Sequence, residues 1–243
     1  MRRIPPLIAS VLLAAAAPLL ALVGPANAAT GDVTCPNGFL GVLTVVHNLT
    51  VPAGSSCGLT EGSTIGNDVI VDSGASFYIG GTTIGHDLRA SGAALIELGD
   101  PNNGSTETVI GDDAIITGTV GGLPYGEFIC QTHIGHNLSV TDTASTASGW
   151  DIGAPEAANC GRNVTSGDII GNTATFTNNE GAYLDVGSNQ VGYNLVFKGN
   201  VEGFNDLTGN AITNNCSQNY NHPFSGSGNT AGNSIGKCNS SNS

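Results

Sequence analysis

The stretch "IGNDVIVDSGA" (Ile65–Ala75) is followed closely by "IGHDLRASGA" (Ile84–Ala93), and this near-repetition decides the fold. The phrase that the two share, [I/V/C]-G-x-[N/D]-aliphatic, recurs along the chain. Its copies are "IGNDV" (65–69), "IGHDL" (84–88), "IGDDA" (110–114), "IGHNL" (134–138), "CGRNV" (160–164) and "VGYNL" (191–195), with a degenerate copy in "LTGNAI" (207–212). Short runs of alternating polar and apolar residues lie between the copies and end in Gly, Asn, Asp or Ser, which is typical of strands and turns.

The repeated strands and turns predict an all-β chain that coils, each coil stacking its strands in parallel on the last. We expect a right-handed parallel β-helix, or β-solenoid, of about eight coils, with loops of different length where the copies are unevenly spaced. The residue after "IG-x" should form a ladder along the rod. Its members would be Asp68, Asp87, Asp113, Asn137, Asn163, Asn194 and Asn210. The glycine before it is expected to allow a turn that a β-carbon would disfavour.

The ends of the chain predict export and a cap. Met1-Arg2-Arg3 precedes an apolar run from Leu7 to Gly24 and the small-residue stretch "ANAAT", which together predict a signal peptide over residues 1–28. We therefore expect a secreted protein that is extracellular or associated with the cell wall. Residues 29–213 are expected to form the β-helix. Residues 214–243, rich in Gly, Asn and Ser, are expected to form a polar cap and tail.

Six cysteines fit the same coil length. Cys35 and Cys57 are separated by as many residues as Cys216 and Cys238, and Cys130 and Cys160 are somewhat further apart. Residues one coil apart lie at a separation that a disulfide can bridge, so these spacings favour three staples between neighbouring coils. The count of cysteines alone allows fifteen connectivities.

The formal net charge of −13 and the scarcity of Lys and Arg argue against nucleic acid and anionic membranes as partners. A polysaccharide or another surface protein fits better.

Two stretches of the chain, "VGYNL" (191–195) and "GNTAGNSIGKC" (228–238), match a known pattern. Through them the chain resembles a group of secreted, repetitive actinobacterial proteins that have "IGGNL"-type phrases and a Gly/Asn-rich end with a final cysteine. The resemblance implies a β-solenoid in a cell-envelope or extracellular setting and implies no reaction.

An enzyme is the alternative interpretation, because parallel β-helices occur among glycoside hydrolases and polysaccharide lyases. Hydrolysis of a glycosidic bond needs two carboxylates at a fixed separation, and the candidates are Asp87, Asp112 and Asp113. The basic residues that hold anionic sugars, or serve a lyase as base, are scarce. The simpler interpretation is that turn geometry places these residues.

Two binding hypotheses remain. Asp68, Asp87 and Asp113 on consecutive coils would repel one another unless a cation such as Ca²⁺ neutralised them; otherwise they would accept backbone N–H bonds or point into water. We expect no cofactor apart from Ca²⁺ at this row. The aromatic residues Tyr78, Trp150 and Tyr193 are candidates for a sugar-binding platform. The sequence thus favours a non-enzymatic structural or binding protein of the cell surface or matrix.

Overall fold

The computed structural model describes residues 30–99, 106–121, 126–144, 149–153, 160, 167–236 and 238–239. Within these ranges the chain forms strands joined by turns and contains no helix, and therefore none that could cross a membrane. Most strands are two to four residues long.

The strands follow in chain order. They are β1 (Val33–Thr34), β2 (Phe39–Gly41), β3 (Thr44–Val45), β4 (Leu49–Val51), β5 (Ser56–Leu59), β6 (Thr64–Ile65), β7 (Val69–Val71), β8 (Ser76–Ile79), β9 (Thr83–Ile84), β10 (Leu88–Ser91), β11 (Leu95–Leu98), β12 (Thr108–Ile110), β13 (Ala114–Thr117) and β14 (Glu127–Ile129). The second half holds β15 (Thr132–Ile134), β16 (Leu138–Thr141), β17 (Trp150–Gly153), β18 (Ile169–Ile170), β19 (Ala174–Thr177), β20 (Glu180–Gly181), β21 (Leu184–Gly187), β22 (Gln190–Val191), β23 (Leu195–Lys198), β24 (Val201–Glu202), β25 (Asn205–Thr208), β26 (Ala211–Asn219), β27 (Ser225–Ser227) and β28 (Thr230–Gly236).

Each coil contributes to three faces, and the pairing is parallel throughout. Two coils add a short extra strand between the second and third faces, where β20 pairs with β24. Face A holds β3, β6, β9, β12, β15, β18, β22 and the beginnings of β26 and β28. Face B holds β1, β4, β7, β10, β13, β16, β19, β23 and the ends of β26 and β28. Face C holds β2, β5, β8, β11, β14, β17, β21, β25 and β27. We call the turns between faces the AB, BC and CA corners.

Stacking in register fills the interior with columns of apolar side chains. One column on face B consists of Leu49, Val69, Leu88, Ala114, Leu138, Ala174, Leu195 and Cys216, one residue per coil. All are fully buried, and burying a Leu or Val side chain contributes about 1.5–3 kcal/mol. The expected parallel β-solenoid of about eight coils is therefore confirmed.

Three disulfides join the coils as the spacing favoured. Cys35 pairs with Cys57, Cys130 with Cys160 and Cys216 with Cys238. The first and last pairs link the end coils to their neighbours. The final pair lies beyond residue 213, where the β-helix is predicted to end. The strand β26 crosses that boundary, and β28 pairs with β26. The described residues of the polar segment, 214–236 and 238–239, thus complete β26 and form the last coil of the rod.

The glycine of the repeated phrase is needed for a different reason from the one expected. Gly66, Gly85, Gly111, Gly135, Gly171 and Gly192 stack at the AB corner, and none has a positive φ. A Cβ on Gly111 would lie 2.1 Å from the carbonyl oxygen of Gly85, and each of the others meets the preceding coil in the same way. Close approach of successive backbones, rather than an unusual turn conformation, therefore requires glycine here.

Candidate functional site

The AB corner brings together the row of aspartates that the sequence predicts. The backbone N–H of Asp87 donates to Asp68 Oδ1 at 3.2 Å, and that of Asp113 donates to Asp87 Oδ1 at 2.9 Å. Asn137 continues the row by donating its N–H to Asp113 Oδ1 at 3.0 Å. Each carboxylate thus accepts a backbone hydrogen bond from the next coil, which is the alternative that the sequence left open beside cation binding.

Neighbouring donors relieve part of the charge in this row. The Arg89 guanidinium forms an ion pair with Asp87 Oδ2, and Asn137 Nδ2 donates to Asp113 Oδ1 at 2.9 Å. Among the described residues no group of three or more His, Cys, Asp or Glu side chains is arranged to hold a metal ion. The Oδ1 atom of each aspartate and the Oδ2 atom of Asp87 thus have structural partners in the described chain.

A second, more exposed column follows the corner. Asn67, His86, Asp112, His136, Asn172 and Tyr193 occupy it, one per coil. His136 Nδ1 lies 3.4 Å from Asp112 Oδ1, and both side chains are well exposed. Asp112 therefore stands in the outer column while Asp113 stands in the inner row. The Asp112 side chain is 44% exposed, whereas that of Asp87 is 15% exposed.

The row differs from the predicted one at two positions. Asn163 lies outside the described residues, and Gly171 and Thr173 supply the corner of that coil instead. Asn210 belongs to the CA corner, where it follows Gly209, a residue of positive φ. In that coil the AB row is continued by Asn215, whose N–H donates to Asn194 Oδ1, and Asn233 on β28 follows in register with Asn215.

The three aromatic candidates do not share a surface. Trp150 is buried in the core at the start of β17. Tyr78 lies on face C with its ring over Gly58, where a Cβ would come within 1.9 Å of the ring. Tyr193 projects from the AB corner with about half of its surface exposed. The sequence-predicted sugar platform is therefore not brought together.

Face C carries a carboxylate row that the sequence analysis missed. Asp151, Asp185 and Asp206 are paired in register on β17, β21 and β25. Alternation along each strand places them on the side opposite the buried Trp150 and Leu184. Asp151 and Asp185 are nevertheless buried, and the Tyr183 hydroxyl donates to Asp151 Oδ2 at 3.2 Å.

A repeated phrase could have revealed this face-C row. It reads "WDIG" (150–153), "LDVG" (184–187) and "NDLT" (205–208), with Asp always followed by an aliphatic residue. The phrase lacks a constant glycine before the aspartate, so it does not stand out beside the AB-corner phrase.

Two further ladders run inside the BC and CA corners. Asn179, Asn200 and Asn221 form the BC ladder, and Asn189, Asn210 and Asn229 form the CA ladder; all six are buried. In each, the side-chain oxygen accepts both the backbone N–H and the Nδ2–H of the preceding coil's asparagine. The Nδ2 also donates to a backbone carbonyl, as Asn210 does to Val186. These amides satisfy backbone groups at buried turns.

Asp168 occupies one rung of the CA ladder. Its N–H donates to Asn189 Oδ1 at 2.9 Å, and its Oδ1 accepts the N–H of Thr132 at 2.8 Å. Its Oδ2 has no hydrogen-bond partner of good geometry in the described chain. Burial raises the pKa of this carboxyl well above its usual range, although the backbone N–H groups of Thr132 and Gly153 oppose the shift.

Glu127 is a further buried acid whose pKa is raised, on the inner side of β14. The Thr119 hydroxyl donates to its Oε2 at 3.1 Å, and β17 places Trp150 beside it. Burial raises the pKa of Glu127 to about 8, with opposing contributions from Thr119 and the Ile96 backbone and a supporting one from Glu97. The glutamate is thus largely protonated at neutral pH.

No protein-family model, curated protein or solved structure matches this chain.

Proposed function

We propose that the protein is an exported, non-enzymatic β-solenoid that serves as a structural or glycan-binding component of the cell surface or extracellular matrix. The observation that carries this proposal is the use of the AB-corner carboxylates as acceptors for backbone N–H groups. Carboxylates held in this way stabilise turns, whereas a hydrolase needs two that converge on one bond. Three disulfides support an oxidising, extracytoplasmic setting.

Binding to insoluble polysaccharides tests this function. The purified protein is incubated with a panel of neutral and acidic polysaccharides, with and without Ca²⁺, and the same tubes are assayed for new reducing ends. We expect retention without release of sugar. Tyr193→Ala should lower retention, because this ring is exposed beside the AB corner. Tyr220→Ala, an exposed tyrosine at the BC corner, is the matched control. Absence of retention on every polymer would contradict glycan binding.

Calcium at the AB-corner row stays a prediction of the sequence. Asp68, Asp87 and Asp113 lie on consecutive coils, and Ca²⁺ accepts carboxylate and carbonyl oxygens in flexible geometry. Arg89 competes for Asp87. Calorimetric titration with CaCl₂ should show binding that Asp113→Asn weakens and that Asp185→Asn leaves unchanged. Equal weakening of Ca²⁺ binding in both variants, or no measurable heat of binding, would contradict a Ca²⁺ site at this row.

A second candidate function, glycoside hydrolysis, is favoured by the face-C row. Neighbouring coils are about 4.8 Å apart, close to the separation of about 5–5.5 Å between the carboxyls of retaining glycosidases. Asp185 lies between Asp151 and Asp206 in register, and the exposed Phe204, two residues before Asp206, offers an apolar surface to a sugar ring. Release of reducing ends that Asp185→Asn abolishes and Asp113→Asn preserves would make the protein an enzyme.

A further inference from the structure

An open groove runs along face A, next to the AB corner, in the C-terminal half of the rod. It has a volume of about 340 Å³, which is within the range of small-ligand sites. Four successive strands of face A line it: β18, β22, β26 and β28. Because these strands pair in register, the groove lies parallel to the rod axis and spans three coil spacings, about 14 Å.

The glycine of the AB phrase leaves part of the floor of this groove without side chains. Gly171 and Gly192 are exposed, and a Cβ on Gly192 would lie 2.1 Å from the carbonyl oxygen of Gly171. Beside them one column of side chains forms a wall, with one residue per coil: Ile169, Gln190, Ala211 and Thr230. Ile170 and Val191, the next residues along two of these strands, are buried in the core, so alternation directs the wall column outward. A ligand in the groove would therefore contact both peptide groups and side chains.

The groove is uncharged. None of the described residues that line it is an acid or a base, although the chain has a net charge of −13. Aliphatic and polar side chains alternate along the wall, in the order Ile169, Gln190, Ala211 and Thr230. Tyr193, at the adjacent corner, is about half exposed. This mixture suits a sugar ring, which has apolar faces and hydroxyl groups at its edge, and the charge of the chain disfavours an acidic sugar.

The repeat of the rod favours a polymer as the ligand. Similar floor and wall positions recur in each coil, at intervals of about 4.8 Å, and one β-linked sugar unit of an extended polysaccharide covers a similar distance. A peptide strand fits less well, because a sheet binds such a strand through an open edge. Here β22 is paired with β18 on one side and with β26 on the other, so its backbone groups already have partners.

We propose that this groove binds one extended chain of a neutral, β-1,4-linked polysaccharide, which runs parallel to the rod with one sugar unit per coil. The inference rests on the glycan-binding function proposed above, and it adds the site, the direction of the chain and the class of sugar. The groove accommodates about three sugar units, one for each coil spacing.

Calorimetric titration of the purified protein tests the groove. The probes are cellohexaose and chitohexaose, which are neutral and β-1,4-linked, and hexagalacturonate, which is acidic. We expect at least one neutral probe to bind and the acidic probe not to bind. Ile169→Lys places a long charged side chain on the wall, and Gln190→Ala removes an amide; each should weaken binding by about tenfold or more in Kd. Thr83→Lys is the matched control and should leave binding unchanged, because Thr83 is an exposed residue of the same outward column in the N-terminal half.

Circular dichroism verifies that each variant is folded, and Gln190→Ala keeps the test valid if Ile169→Lys is not. Polysaccharide retention that Tyr193→Ala lowers, but that Ile169→Lys and Gln190→Ala leave unchanged, would overturn the groove while glycan binding stands. Equal weakening by Thr83→Lys would overturn it too. So would binding of hexagalacturonate alone, or of no probe at all; if in addition no polysaccharide retains the protein, the proposed glycan binding fails with it.

Discussion

The AB and CA corners use different side chains to accept hydrogen bonds from backbone N–H groups. At both, a side-chain oxygen accepts the backbone N–H of a residue in a neighbouring coil, as Asp87 does for Asp113 and Asn210 does for Asn189. The AB corner is partly exposed and uses aspartates in its first half. The CA corner is buried and uses the neutral residues Ser63, Thr82, Thr108 and Thr132 in its first coils and asparagines in its last ones, with Asp168 and its raised pKa between them. Access to water therefore decides whether the acceptor can carry a charge.

The largest effect is expected from placing a charge in the buried ladder. Asn210→Asp removes the Nδ2 donor to Val186 and Asn229 and buries a carboxylate beside other oxygens. We expect the free energy of unfolding at pH 7 to fall by about 3 kcal/mol. Urea denaturation measures it. The control Asn137→Asp, at the exposed corner, should cost about 1 kcal/mol or less; equal losses would show that exposure is not what separates the corners.

The reverse change at Asp168 sharpens the comparison. Its carboxyl pKa is raised, so the folded state binds a proton that the unfolded state releases above its value of 3.8. The contribution of this carboxyl to the free energy of unfolding is therefore fully present below that pH. It falls as the pH rises, by up to about 1.4 kcal/mol per pH unit. Asp168→Asn should remove this pH-dependent fall and should raise the free energy of unfolding at pH 8 by about 2 kcal/mol. Parallel pH profiles for variant and native protein would contradict this.

Glu127 gives a second, bounded pH window. Its pKa is 4.5 when unperturbed and about 8 in the fold, so its contribution to stability is lost as pH rises between these values. Glu127→Gln should flatten the stability profile in that window and raise stability at pH 8 by about 1 kcal/mol. Thermal unfolding followed from pH 4 to pH 9 gives the profile. A stability profile that keeps its slope in Glu127→Gln would contradict this assignment.

The smallest effect is expected at the exposed corner itself. In Asp113→Asn the amide oxygen can still accept the N–H of Asn137, and the change lowers the repulsion from Asp87. We expect the free energy of unfolding to change by less than about 0.5 kcal/mol at neutral pH. A loss of several kcal/mol in denaturant titrations would mean that the charge itself stabilises the turn.

The sequence predicts the solenoid well because its strongest signals are local. The glycine and the polar residue of the AB phrase recur in nearly every coil. The glycine is required by contact with the preceding coil, as at Gly111, and the polar residue by contact with the next, as at Asp113. The disulfide pairs follow from the same repeat. One coil length therefore explains both the stacking and the cysteine spacing.

The remaining features depend on burial, which a local phrase does not encode. "GN" occurs both at Gly171-Asn172, where backbones approach closely, and at Gly209-Asn210, where a positive φ is needed. The sequence analysis matched "LTGNAI" (207–212) to the repeated phrase as a degenerate copy and so assigned Asn210 to the wrong corner. The pKa of Asp168 depends on the loss of water at a turn between distant segments. Those effects arise only when the whole coil is assembled.

The disulfides at the ends have a mechanical consequence. If the rod is pulled by its chain ends, force that reaches Cys35 passes directly through the S–S bond to Cys57, and the same holds between Cys238 and Cys216. Residues 36–56 and 217–237 then bear no tension, so the end coils cannot be unwound by traction alone. Unfolding under tension would have to begin in the second coil from either end, and that coil is paired with a neighbouring coil on both sides. With both disulfides formed, the end coils of the rod therefore resist unfolding under tension better than they would with the cysteines reduced.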